Sequence, residues 1–304
     1  MAGTIKRVPI AQAGTMAVLA AVVAWGLGNV LIKYIRLSGL SIAFNRLWLG
    51  AAVFTLLLMA QGGRITWRSL RFALPGGVAF GLDVVLFFTA VKHTSVADAS
   101  IITALQPALV FLVAGRLFGE KVSGSTLVWT GVAIAGTIVA VLGSSVGAGR
   151  TLGGDLIAVA SLLAWAWYFI ASKQCRRRLG ALEYQAALTI VAAVVVSPLA
   201  LATSHDLIIH DPSTFGWVLV MVVVPGGGHL LMNWAHEYVP IMFASTATLA
   251  IPVVATVGAV LLLNEVVSGI QAVGMIVVLI ALALILRRPP ASLAALETPT
   301  PETP

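Results

Sequence analysis

Residues Ala97–Ser123 read A-D-A-S-I-I-T-A-L-Q-P-A-L-V-F-L-V-A-G-R-L-F-G-E-K-V-S, an apolar segment with a central proline, closed by a Gly-Glu-Lys turn and a serine. The pattern returns 145 positions later: Ser100 falls on Ser245, Thr103 on Thr248, Pro107 on Pro252, Glu120 on Glu265 and Ser123 on Ser268. A repeat of this period sets the architecture, because each copy is one structural unit. Proline within a helix removes the hydrogen bond to the carbonyl four residues earlier. Those carbonyls belong to Thr103 and Thr248. Ser100, Thr103 and Pro107 share one helical face, as do Ser245, Thr248 and Pro252. Two readings are open for each segment: a kinked packing helix, or a bendable helix lining a cavity whose six polar and proline positions form a hinge.

Composition states the setting. The 304 residues are 60% hydrophobic and 10% charged, with mean hydropathy +1.03. Apolar runs of about 18 residues or more are long enough to cross a bilayer. We expect ten spans, at Ala13–Ile35, Leu40–Ala60, Phe72–Val91, Ala97–Phe118, Ser125–Leu142, Leu152–Lys173, Leu182–Thr203, Phe215–Ala235, Ile241–Leu263 and Ile270–Leu286. The fold class expected is an all-α membrane protein. Residues 1–12 form an N-terminal segment, 13–145 a first five-helix unit and 150–288 a second. Residues 289–304, rich in Pro, Ala, Thr and Glu, are expected to be a disordered tail.

The net charge of +7 lies in short connections, which argues against a nucleic-acid partner. With the N-terminus in the cytoplasm, thirteen Lys and Arg fall on cytoplasmic segments and four (Lys33, Arg36, Lys92, Arg150) on outer ones. By the positive-inside rule both termini are then cytoplasmic. Cys175 is the single cysteine, so neither an intrachain disulfide nor a thiolate metal site is possible. The histidines form no metal-ligand cluster and no cofactor is expected. Gly143–Gly147 fits G-x-S-x-G but lies in a loop after a membrane helix, and Gly226-Gly227-Gly228 lacks the Gly-Lys-Ser/Thr of a phosphate loop. No nucleotide partner is implied.

Further matches join the halves. Ala24-Trp25 aligns with Ala164-Trp165, and Pro75-Gly76-Gly77 with Pro225-Gly226-Gly227. Five spans per unit is an odd number, so the second unit enters the membrane inverted. Inverted repeats are a signature of secondary transporters, with the substrate site near the midplane where the halves meet.

Ala24-Trp25-Gly26, Asn45-Arg46-Leu47, the Thr94–Ser100 approach, Pro107 and the Gly119-Glu120-Lys121 turn resemble EamA-type members of the drug/metabolite transporter superfamily, above all its aromatic amino-acid exporters. The resemblance covers Met16 to Leu286. It implies a ten-helix basket around a central cavity that exports small metabolites across a bacterial inner membrane by alternating access. The second half departs from it, with Asn264 in place of a glycine and no clear counterpart of Arg46.

Polar groups inside a bilayer are costly and need a reason. Asp83 is the one carboxylate deep in a span, flanked on its face by Phe80 and Phe87. It is read either as a structural partner of Arg46 or as a proton or substrate-ammonium site. Its counterpart is Asn233, with His229 one turn earlier. Trp25 and Asn29 form a stripe on span 1. Trp165 and Phe169, with Tyr168 adjacent, repeat it on span 6. These ten residues are the candidate substrate site, expected between spans 1, 3 and 4 and spans 6, 8 and 9. An aromatic cavity with few charges suits aromatic or large neutral amino acids. Trp67 and Trp217 are expected at the membrane interface. Glu120 and Glu265 each precede a serine suited to cap the next helix, and are read as structural or as gating turns. The alternatives are export of another small metabolite or a cationic drug, or an intramembrane enzyme acting on lipid, for which only Asp83 and His229 offer a pair. Small molecules and membrane lipid are the expected partners.

Overall fold

The computed structural model describes residues 9–93, 102–121, 123–143, 152–204, 206–264 and 266–287. Apolar side chains dictate the state of this chain. In a bilayer every backbone amide must find its partner within the protein, which leaves helices or closed barrels. The described residues are helical, with no strand among them: α1 Ile10–Leu31, α2 Gly39–Ala60, α3 Trp67–His93, α4 Gln106–Phe118, α5 Gly124–Gly143, α6 Leu152–Cys175, α7 Ala181–Thr203, α8 Pro212–Ala235, α9 Ile241–Ala247, α10 Ile251–Leu263 and α11 Gly269–Leu286. Among them are nine segments long and apolar enough to cross a membrane, with Ile241–Leu263 counted as one; Gln106–Phe118 is a shorter apolar helix. Ser100 and Glu265, the first eight residues and the tail beyond 287 lie outside the described residues.

Local chemistry sets the helix starts. The side chains of Ser38, Ser123, Asp211 and Ser268 accept hydrogen bonds from the backbone N–H groups of Ser41, Thr126, Thr214 and Gln271, at 2.8–3.2 Å. Each satisfies a donor that the helix itself leaves bare. The ends of α4 and α10 are also alike. Gly119 closes α4 with φ 70° and Asn264 closes α10 with φ 55°, both left-handed. Asparagine is the side chain that best tolerates that region, so the change from glycine keeps the cap.

The proline-bearing spans differ from the expected kinked helix. Pro107 and Pro252 sit in the first turn of new helices, α4 and α10, where a missing N–H costs nothing. The second span is two helices, α9 and α10, joined by the 3-10 turn Thr248–Ala250. The Thr248 carbonyl is not left free, because the Ile251 N–H bonds to it. The hydroxyls of Thr248 and Ser245 donate to the carbonyls of Ser245 and Met242, at 2.6 and 3.1 Å.

The principal neighbours are α3–α6 and α1–α8, α3–α7 and α2–α8, α4–α6 and α1–α10, α2–α3 and α7–α8, with α2–α7, α5–α11 and α4–α9. Exchange each element of the first half for its counterpart in the second, and this set maps onto itself. Lipid gives apolar helices no reason to associate, so close approach of small residues must do so. A Cβ on Gly274 would overlap the Ala140 backbone of α5, and one on Gly136 would lie 3.0 Å from the Gly274 carbonyl. A Cβ on Gly77 would press on Val191 of α7.

Candidate functional site

Six of the candidate side chains meet in one cluster drawn from both halves. The Trp25 and Trp165 rings touch edge to face, with centroids 5.4 Å apart. Phe169 is 5.1 Å from Trp165, and His229 is 4.8 Å from Trp25. Phe80 is 5.1 Å from Tyr168 and 4.7 Å from His229. Edge-to-face and tilted contacts of this kind set each ring's positive edge on another's negative face.

Three members of the cluster are also held by hydrogen bonds. Trp25 is buried, and its indole N–H donates to the Pro225 carbonyl at 3.2 Å, which fixes the ring against α8. Trp165, its repeat partner, is half-buried. The Tyr168 hydroxyl and His229 Nδ1 lie 3.0 Å apart, a buried helix–helix hydrogen bond.

Asp83 accepts a hydrogen bond from Ser161 Oγ at 2.7 Å. It makes no direct ion pair with Arg46, although the two charges act on each other across a longer distance. Arg46 instead faces a void of about 10 Å³ with Phe80, Gln185, Thr189, Met221 and His229 along its wall, room for one water. That void lies among α2, α3, α7 and α8, and so shares α3 and α8 with the spans expected to form the cavity. Asn233 is fully buried and donates to Gln185 Oε1 at 2.7 Å, while its own oxygen has no partner. Phe87 is half-buried, and Asn29 is exposed one turn beyond Trp25. Of the hinge residues, Ser245 and Thr248 are buried, Pro107 is buried at the head of α4, and Thr103 and Pro252 are half-buried.

Residues without a strong sequence signal complete the site. Ser161, Trp165, Tyr168, Ser172 and Arg176 recur at spacings of four, three, four and four, one face of α6 continued into the turn after it. Along it Ser161 holds Asp83, Ser172 Oγ lies 2.9 Å from the Tyr184 hydroxyl, and Arg176 Nε donates to the Asn233 carbonyl at 2.9 Å. That helical spacing is the signal by which Ser161 and Ser172 are readable.

At the far end of this stripe, Arg176 also donates to the Leu179 carbonyl and pairs with Glu237. Burial lowers its guanidinium from the ordinary value, and Glu237 opposes that. His236 is buried against Phe169 with neither ring nitrogen bonded, and burial holds its imidazole well below the ordinary value. Cys175 is buried and its thiol donates to the Phe72 carbonyl at 2.7 Å. Trp67 is 80% exposed and Trp217 stacks on Tyr34.

Glu120 has a structural use that reaches beyond its own turn. Ser123 caps the following helix, while the Glu120 carboxylate reaches into the other half. It accepts from the backbone N–H groups of Ile241 and Met242 at 2.7 and 3.2 Å, and lies 3.1 Å from Lys173 Nζ.

Comparison with known proteins gives a consistent result. The model of the EamA-like transporter family matches residues 12–142 and again 152–287. An uncharacterised transporter of Clostridium kluyveri is 23% identical over 226 residues, 71% of this chain and 72% of that protein. The pseudopaline exporter CntI of Pseudomonas aeruginosa is 27% identical over 113 residues, 36% of this chain and 40% of the exporter. A solved crystal structure superposes with TM-score 0.77 at 19% identity, covering 94% of this chain and 99% of its own, a likeness of fold alone.

Proposed function

Because this chain belongs to the EamA-like transporter family, and is thus a multi-pass membrane transporter and not an enzyme, we propose that it exports small amphipathic metabolites, foremost aromatic or large neutral amino acids, across the bacterial inner membrane. In this reading ten spans form two inverted five-helix units, 13–145 and 150–288, with both termini cytoplasmic. The double family match, the neighbour set that maps onto itself and the distribution of Lys and Arg support it. The two proline-broken spans open the cavity to one side and then the other. No nucleotide drives the cycle.

The observation that carries the substrate class is Asp83, a carboxylate within α3 held by Ser161, next to a ring cluster built from α1, α3, α6 and α8. A carboxylate receives an ammonium group, and rings receive an apolar side chain. Trp25, Asn29, Phe80, Phe87, Trp165, Tyr168, Phe169, His229 and Asn233 then shape the site around it. The likeness to a pseudopaline exporter favours a second reading, in which the cargo is a metabolite other than a free amino acid.

The test is uptake of labelled amino acids into proteoliposomes, with and without an imposed pH gradient. Saturable uptake indifferent to the gradient marks a facilitative carrier; accumulation driven by it makes Asp83 the leading candidate for the proton site. Asp83→Asn is expected to lower flux at least about tenfold, the loss of one charge-assisted contact. No uptake by folded protein under either condition overturns the amino-acid assignment.

A further inference from the structure

One carboxylate ties three elements together at the end of the bundle where α6 finishes and α9 begins. Glu120 stands in the turn after α4, in the first half; Ile241 and Met242 open α9, in the second. Pro240, the residue before α9, provides no side-chain cap, so the two amides depend on Glu120. Lys173, at the end of α6, completes the group. Its ammonium lies 3.1 Å from Glu120 Oε1 and donates to the Val239 carbonyl at 2.6 Å. The Lys173 and Glu120 side chains are 11% and 8% exposed. Phe118 lies beneath, with Lys173 and Arg177 over its ring at 5.6 and 5.3 Å.

Beyond this group the chain is dry. Every residue from Ile241 to Leu249 is buried, enclosed by α1, α4 and α6. Three of the four bonds tie α9, or the Val239 carbonyl just before it, to Glu120 and Lys173; the fourth, Lys173 to Glu120, joins α6 to the turn after α4 and sets the carboxylate for the α9 amides. If α9 swings away, the two amides, the Val239 carbonyl and the face of the carboxylate they occupied go to water, and only the Lys173–Glu120 pair is kept. The group therefore favours one position of α9 over any other. Lost in place, it strands two amides and a shielded ammonium, which costs more than the bonds were worth.

Resting on the transporter reading above, we propose that Glu120 and Lys173 are positioning residues of the transport cycle: a clasp that holds α9 against α4 and α6 and keeps this end, the cytoplasmic one in that reading, shut. The clasp acts through backbone amides as well as through charge. Its chemistry is thus not that of a simple ion pair.

Sidedness of access tests it. A reporter cysteine replaces Ala244 on α9, with Cys175→Ser as background; a control reporter replaces Ala43 on α2, at the opposite end. Both positions are fully buried. Maleimide modification is followed in purified, reconstituted protein without substrate, so the result is independent of whether amino acids are the cargo. Glu120→Gln is expected to raise modification at position 244 about tenfold or more, the scale of lost hydrogen bonds to a charged group, and to leave position 43 unchanged. Lys173→Gln raises it less. Glu120→Asp, a milder change that retains the charge, gives an intermediate rise. The exchange Glu120→Lys with Lys173→Glu does not restore protection, because lysine cannot accept the Ile241 and Met242 N–H bonds. Unchanged labelling at 244 in both Glu120 variants, equal rises at 244 and 43, or full protection in the exchanged protein would each overturn the proposal.

Discussion

The two ends of the molecule use the same device in opposite surroundings. At one end Glu120, from the first half, binds the start of α9 in the second. At the other Asp206, from the second half, binds the start of α2 in the first. It accepts from the Ser38 N–H at 2.7 Å, from Ser38 Oγ at 3.0 Å and from Ser41 Oγ. Glu120 is nearly enclosed and has a lysine beside it; Asp206 is half-buried and is held by two serine hydroxyls and one backbone amide. A carboxylate in a dry place needs a cation, whereas one in a wet place does not. The difference teaches that the start of α9 has no cap of its own and takes one from the other half, together with the lysine that keeps that carboxylate charged in a dry place.

If the ends move and the α5–α11 seam stays still, the largest effect belongs to the seam. Gly274→Leu drives a side chain into the Ala140 backbone. We expect a loss of about 1–3 kcal/mol or more from overpacking, read as a clear drop in melting temperature in detergent. Gly131→Leu on α5, where a Cβ meets nothing within 4 Å, should melt with the parent. Equal melting of both variants would break the assignment of the seam as the fixed contact.

The turn that carries Glu120 gives a smaller effect. Gly119→Ala puts a Cβ at φ 70° and should cost about 1 kcal/mol. Asn264→Gly, at φ 55°, should stay within a few tenths of a kcal/mol of the parent. Denaturant or thermal melts of the pair would sharpen the comparison. A large loss in Asn264→Gly would mean that its side chain does more than tolerate the turn.

The smallest effect is at the wet end. Hydrogen bonds from Ser41 and Ser38 hold the Asp206 carboxyl below its ordinary value of 3.8. A depressed carboxylate stabilises the fold above its unfolded pKa, and the contribution is lost as pH falls through the lower folded value. Asp206→Asn should therefore melt slightly below the parent at pH 7, with the gap closing below about pH 4. A gap that persists in acid would assign the effect to packing and not to charge.

Much of the fold is legible in the residues because the bilayer leaves few options. Long uncharged runs such as Gly269–Leu286 must be helices, and the recurrence of Trp25 at Trp165 brings two rings together across the halves. The rest is hidden for physical reasons. A proline marks a break in a helix but not whether the chain bends or starts anew; the 3-10 turn Thr248–Ala250 settles that only in three dimensions. Asp83 and Arg46 are both charged and both within the membrane, and charge alone suggested a pair. Ser161 wins because it stands on the facing helix at bonding distance. Glu120 meets Ile241 across 121 positions, and no local pattern reports a contact of that separation.

The meeting of Trp25 and Trp165 has an optical consequence. Two indoles from different halves, with centroids 5.4 Å apart and planes at 71°, share their excited states. Such a pair gives a split circular-dichroism band that neither ring gives by itself. Its strength falls steeply with separation, so the native chain contains its own unlabelled gauge of how closely the two halves sit. Trp25→Phe, which keeps a ring in place, would erase the signal and identify its source.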